Sequence, residues 1–232
     1  MGIVQFQVTL WVELLAAALG GVQGALFAAG RKDHRIDVLG VIVIGLTVAL
    51  GGSLLRDVVL NQPPVVVWVN WYLLVAGASA ILGMALHPLL ARTGWLLTVL
   101  DAVVMGLFGA IAASKALSLG VGSVGALVVG VIGAIGGGIL RDLILNRPIS
   151  ILHVGSLYAV AAGAGAAALI VLVQIDTPVP VAGLISAAVT TGVRIAAVFF
   201  DWTFPEQRAL RPWRPRVGVA PRRARIILRR GM

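Results

Sequence analysis

The sequence predicts an all-α integral membrane protein of seven transmembrane helices, six of them forming two three-helix repeats of inverted topology. Three observations carry this. The 232 residues are 59% hydrophobic and 12% charged with a mean hydropathy of +1.03, whereas a soluble domain carries roughly 25% charged residues. The apolar residues gather into runs long enough to cross a bilayer, which takes about 20 residues per helix. Finally, Gly51-Gly52-Ser53-Leu54-Leu55-Arg56-Asp57 returns 85 residues later as Gly136-Gly137-Gly138-Ile139-Leu140-Arg141-Asp142. At the same offset Gly40, Gly45, Leu60, Asn61 and Pro63 meet Gly125, Gly130, Leu145, Asn146 and Pro148, the mark of a duplicated structural unit.

The elements follow in order. Residues 8–29 form the first span, which no basic residue precedes and which is longer than a signal-peptide apolar core. Arg31-Lys32-Asp33-His34-Arg35 is the loop after it. The second span, 36–60, carries the first signature and stops at Asn61-Gln62-Pro63-Pro64, because two prolines remove donors and forbid continuation. The third, about 70–86, enters through Trp68, Trp71 and Tyr72, aromatics that suit headgroup depth, and ends at His87-Pro88. Spans at 95–117, 122–146 and 152–174 repeat the plan, with Asn146-Arg147-Pro148 as the matching stop. A seventh span, about 179–200, has no partner in the repeat. The domain limits are therefore 1–204 for one transmembrane domain (repeat one about 8–90, repeat two about 95–174) and 205–232 for a basic Pro/Arg-rich tail that reads as poorly ordered.

Charge sets the orientation. The net charge is +9, and beyond Pro205 nine arginines face one acid, Glu206, so the basicity belongs to the tail and is no nucleic-acid footprint. With the N-terminus outside, Arg31, Lys32, Arg35, Arg92, Arg147 and the tail arginines all fall on the cytoplasmic side, as the positive-inside rule requires. Three spans per repeat is an odd number, so the second copy enters the membrane from the opposite side. Such inverted pairs commonly hold a permeation or binding site at their interface, on interrupted helices.

The signature can act in two ways. Glycines Gly51, Gly52, Gly136, Gly137 and Gly138, with Ser53, lower the cost of bending, and a bend frees carbonyls that must face protein or water; carbonyls facing water can replace part of a cation's hydration. Small residues also let helix backbones approach, the role expected of Gly20, Gly21, Gly24, Gly106, Gly109, Gly163 and Gly165. Arg56 and Arg141 either snorkel to the interface or, with Asp57 and Asp142, bond to other helices and lock the helix ends. Adjacent residues point about 100° apart on a helix, so pairing within Arg56-Asp57 or Arg141-Asp142 is not expected. Lys115, late in the fourth span, is a candidate for gating or pore charge. Glu13 and Asp101 are candidate mouth acids, and Thr47 and Ser53 candidate ion-lining hydroxyls, with hydroxyl back-bonding to the helix the rival reading. Tail arginines Arg222, Arg223, Arg225, Arg229 and Arg230 are candidate contacts for anionic lipid, at about 1 kcal/mol each near the surface.

The sequence contains no cysteine, which excludes disulfides, thiolate metal sites and cysteine nucleophiles. No nucleophile-and-base pair, metal cluster or phosphate-binding loop is visible, and Gly51-Gly52-Ser53 lacks the P-loop lysine. The chain reads as a non-enzyme without cofactor or metal.

The doubled Gly-Gly-(Gly/Ser)-x-Leu-Arg-Asp-x-x-Leu signature in a seven-span chain, with Ser114-Lys115-Ala116-Leu117 late in the fourth span, resembles the prokaryotic members of the trimeric intracellular cation (TRIC) channel family. That family overlaps bacterial membrane proteins described as glycine transporters. The likeness covers residues 8–200 and leaves out the tail. It implies a homotrimer in the prokaryotic cytoplasmic membrane, each protomer with its own pore lined by spans one, two, four and five and narrowed where spans two and five bend at Gly51-Gly52 and Gly136-Gly137-Gly138. It also implies permeation of monovalent cations, chiefly potassium with sodium beside it, and matches Lys115 to a lysine linked to pore closure. Ser53 departs from the family's third glycine, which bears on how sharply span two bends. Two other readings stay open: a secondary transporter of a small zwitterion such as glycine, weighed against by the lack of a clear midplane acid, and a non-conducting trimeric scaffold.

Overall fold

The computed structural model describes residues 9–30, 36–90, 94–149 and 157–203. Among the described residues eight helices follow one another: α1 Leu10–Ala29, α2 Val38–Val59, α3 Val65–Trp68, α4 Asn70–Leu90, α5 Gly94–Ser118, α6 Ser123–Ile144, α7 Tyr158–Gln174 and α8 Val179–Phe199. Six are long and apolar enough to cross a membrane, and α7, with 17 residues, is the shorter seventh. The seven-span architecture therefore holds, with α3 as an added single turn. The basic loop 31–35, Arg92, the expected start of the sixth span and the arginine tail lie outside the described residues.

The matching stops of α2 and α6 have a common chemistry. Asn61 and Asn146 adopt left-handed backbone, φ 51° and 47°, a conformation that asparagine tolerates better than most residues. Gln62 N–H then donates to Asp57 C=O and Arg147 N–H to Asp142 C=O, both at 2.8 Å, closing a Schellman turn on each helix. Pro63 and Pro148 follow directly. At the other end of α2 the Asp37 carboxylate caps the helix by accepting from Gly40 N–H at 2.7 Å, satisfying one of the orphan donors.

One boundary differs from the sequence expectation. His87-Pro88 does not end the third span; α4 runs on to Leu90 with Pro88 inside it. The ring removes one hydrogen bond in the last turn, where few further bonds remain to be lost.

Helices α1, α2 and α4 pack together, and α5, α6 and α7 form the second bundle. The bundles meet chiefly where α2 crosses α6, with α1 against α5 beside that crossing. Helix α8 seats on α5 and α7, where Gly106 lies against the Ala187 backbone and Gly165 against Ser186 and Thr190. Side-chain contacts fix the relative direction of the bundles. The start of α1 (Glu13) meets the end of α2 (Arg56), while the end of α1 (Phe27) meets the end of α6 (Arg141). The ends of α2 and α6 thus lie at opposite ends of α1, so the two repeats run through the protein in opposite directions.

Small residues set the spacing. Lipid tails are as apolar as leucine, so helices in a membrane associate through close packing rather than through burial from water. A Cβ on Gly45 would lie 3.2 Å from Gly21 O, and one on Gly130 3.4 Å from Gly109 O, the same contact in each repeat. Gly163 is different: its nearest neighbour, a Val131 methyl, is 4.0 Å away, so it does not serve the close packing expected of it. Trp11, Trp68, Trp71 and Trp95 are exposed near helix ends, as interfacial aromatics should be.

Candidate functional site

The α2 and α6 helices continue unbroken through their glycines and cross there with near two-fold symmetry. A Cβ on Gly51 would sit 3.2 Å from Gly137 Cα, and one on Gly136 3.3 Å from Gly52 Cα. Gly52 faces Gly133 O and Gly137 faces Val48 O, while a Cβ on Gly51 would meet Leu140 Cδ1, and one on Gly136 Leu55 Cδ1, each at 2.8 Å. Four glycines of the two signatures therefore bring two backbones into contact. Their third positions are not part of that contact: a Cβ on Gly138 would find Tyr158 Oη at 3.6 Å and Arg141 Nη2 at 4.0 Å, ordinary spacing, and Ser53 is half-buried.

Each end of the crossing carries a buried ionic network. At the α2 end, Asp57 is fully buried and accepts from Arg56 Nε at 2.7 Å, Lys115 Nζ at 2.8 Å and Val65 N–H at 3.2 Å. Arg56, 1% exposed, also approaches Glu13 at 3.8 Å, and the Tyr72 hydroxyl donates to the same carboxylate. This network joins α1, α2, α4 and α5 and holds the turn into α3. Unpaired, so many buried charges would be very costly.

At the α6 end, Arg141 pairs with Asp142 at 2.8 Å and lies 4.1 Å above the Phe27 ring, a cation–π contact. About two turns of α5 inward from Gly94, Asp101 accepts from Gln23 Nε2 at 2.6 Å and the Tyr158 hydroxyl at 2.7 Å. Arg194 of α8 stands 3.8 Å from Asp101 and 4.5 Å over the Tyr158 ring. A small cavity of about 10 Å³, room for about one water, is lined by Gln23, Asp101, Gly137, Gly138 and Tyr158 among others. A second of similar size is lined by Gly138, Arg141, Asp142 and Tyr158.

Several expectations need correction here. Arg56-Asp57 and Arg141-Asp142 do pair within their own helices, because a long arginine side chain curls around the helix to the next carboxylate where burial leaves it no water. Neither arginine snorkels, being 1% and 4% exposed. Asp101 is 7% exposed and hydrogen-bonded in the interior, so it is no mouth acid. Glu13 is half-buried in the other network. Tyr72 is buried against Glu13, unlike the exposed Trp68 and Trp71 beside it. Thr47 donates back to Val43 O at 2.8 Å, the rival reading of that hydroxyl. Gln23, Phe27, Tyr158 and Arg194 were not singled out from sequence at all. A shifted repeat would have pointed to two of them: 88 residues separate Glu13 from Asp101 and Phe27 from Lys115, and 86 separate Tyr72 from Tyr158.

With this geometry in view, comparison with known proteins gives one answer. The fold superposes on a TRIC trimeric intracellular cation channel orthologue from Rhodobacter sphaeroides with a TM-score of 0.76, covering 84% of this chain and 99% of that one at 32% identity. The chain belongs to the prokaryotic TRIC family. A further TRIC cation channel structure, solved to explain conductance, matches at a TM-score of 0.75 and 27% identity over 87% of this chain and 98% of that one. The family model described as "Glycine transporter" matches this TRIC protein twice, over residues 10–88 and 98–174, one match per repeat. Among relatives, the inner membrane protein YadS of Escherichia coli is 32% identical over 199 residues, 84% of this chain and 94% of that one. A membrane protein of Deinococcus radiodurans is 35% identical over 154 residues, 66% and 70% of the two chains. This TRIC protein is a multi-pass membrane protein.

Proposed function

We propose that this protein is a monovalent-cation channel, potassium foremost and sodium beside it, acting as a homotrimer with one pore in each protomer. The path runs along the seam of α1, α2, α5 and α6, and its gate is the α2–α6 crossing. The observation that carries the reading is that crossing: two oppositely directed helices touch backbone to backbone at glycines, between two buried ionic networks, in a chain whose solved relatives are cation channels. Glycine contacts can separate without dragging side chains past one another, so Gly51, Gly52, Gly136 and Gly137 suit a hinge or sliding gate. The contact as it stands corresponds to a shut pore. Lys115 on Asp57 ties α5 to α2 and favours that state; Arg56 and Arg141 set the charge at either end. The N-terminus faces outward and the C-terminus the cytoplasm, where tail arginines Arg222, Arg223, Arg225, Arg229 and Arg230 meet anionic lipid.

A second reading has its own support. The matching family model is named for glycine transport, and the buried Asp101 supplies an interior acid to which an amine could bind. Against it, each of the cavities beside Tyr158 has room for about one water, less than a zwitterion needs. Planar-bilayer recording in asymmetric KCl separates the two. A channel gives unitary currents reversing near the potassium potential, with open probability raised in Lys115→Ala. Saturable, gradient-coupled glycine uptake without unitary current would overturn it, and silent bilayers containing folded trimer would leave the scaffold reading.

A further inference from the structure

The third glycine of the second signature takes no part in helix packing, and the space it leaves is polar. The cavity it borders is lined by three polar side chains, Gln23, Asp101 and Tyr158, all buried. The Tyr158 hydroxyl and one N–H of the Gln23 amide donate to Asp101 Oδ1. Beyond the second amide N–H of Gln23, what the three side chains have left is oxygen lone pairs. Gln23 Oε1 is buried without any hydrogen-bond partner among the described residues, on a side chain 2% exposed. Asp101 Oδ2 has Arg194 at 3.8 Å, beyond hydrogen-bond reach. An unsatisfied buried oxygen is costly, so this acceptor-rich site calls for an electropositive guest.

We propose that the cavity is a binding site for a single, largely dehydrated monovalent cation, held by Gln23 Oε1, Asp101 Oδ2 and the Tyr158 oxygen directly beside the Gly137 end of the α2–α6 crossing. The inference rests on the conduction reading for its purpose, as the last resting place of an ion before the gate. Size and charge both select the guest. Room for about one water is room for an ion of potassium's dimensions. One carboxylate, part of whose field is spent on Arg194, cannot supply the charge or the six to eight oxygens that a calcium ion takes. An anion is disfavoured because the partnerless nitrogens, on Arg141 and Arg194, belong to residues that do not line this cavity. Arg194, which comes from α8 outside the repeat, weakens the hold on the ion, as a site that must release its occupant requires.

Thallium(I), an anomalous scatterer that replaces potassium, provides the test. Crystals of the full chain in thallium nitrate should show a peak within about 3 Å of Gln23 Oε1 and Asp101, lost in Gln23→Leu. In bilayers Gln23→Leu should lower potassium conductance several-fold. Asp101→Asn, which keeps the side-chain shape, should abolish the extra thermal stability that potassium confers over choline at equal ionic strength. A conducting wild type with no thallium peak, or with a bromide peak in its place, overturns the site and leaves the channel standing. A thallium peak in a protein that carries no current supports the site and removes the channel.

Discussion

Adjacent glycines in α6 should respond in opposite ways to the same added methyl group. At Gly137 an alanine Cβ would lie 2.5 Å from Val48 O and 3.3 Å from Val48 C and Cα, all backbone that cannot rotate aside. Forcing the helices apart should cost about 1–3 kcal/mol, the usual range for overpacking. At Gly138 the nearest atom is Tyr158 Oη at 3.6 Å, so the methyl is accommodated. Both substitutions gain the same helix propensity, about 1 kcal/mol, which cancels in the comparison. Gly137→Ala should therefore be less stable than Gly138→Ala by about 1–3 kcal/mol, or roughly 2–12 °C in Tm at about 2–4 °C per kcal/mol for a chain of this size. Gly77→Ala, with nothing within 4 Å of the new Cβ, is the control for propensity alone. Thermal unfolding in detergent, followed by tryptophan fluorescence, reads all three. Equal Tm values for the Gly137 and Gly138 variants would refute the claim that the two glycines have different jobs.

Other predictions are shorter. Asp57→Asn leaves buried Arg56 and half-buried Lys115 with only Glu13 to balance them, and should destabilise by about 3–5 kcal/mol, measured by denaturant titration. Tyr72→Phe removes a donor from Glu13 and should cost about 1.5–3 kcal/mol in the same titration. Phe27→Leu keeps an apolar side chain but removes the ring beneath Arg141, for about 0.5–2 kcal/mol. Truncation after Phe204 should weaken binding to anionic liposomes and leave neutral ones unaffected; unaltered binding would remove the lipid role of the tail.

The spans were legible because bilayer thickness sets run length and proline sets the stops. The inversion followed from arithmetic, three spans being odd. The site was harder to read. The offset that aligns the signatures sets Glu13 against Thr98, and only a shift of three residues, absorbed by the loops, brings it to Asp101. Pairing within Arg56-Asp57 does not follow from Cβ direction, because a buried arginine side chain reaches well beyond it. Gln23, Tyr158 and Arg194 share no sequence neighbourhood; three helices bring them to Asp101, and nothing local announces it. The same alignment pairs Lys115 with Phe27, so one network is closed by a lysine and the other by an aromatic ring, a difference that follows from the residues alone once the correct offset is used.

On the proposed gating, α2 must part from α6 for ions to pass. The chain has no cysteine, and a Cβ on Gly136 would lie 3.7 Å from Leu55 Cβ, within the span of a disulfide. Potassium current through the Leu55→Cys/Gly136→Cys protein in planar bilayers is the direct measurement. Silence is expected when the pair is oxidised, with current restored by a reductant and neither single variant responding. Undiminished current through fully cross-linked protein would contradict it.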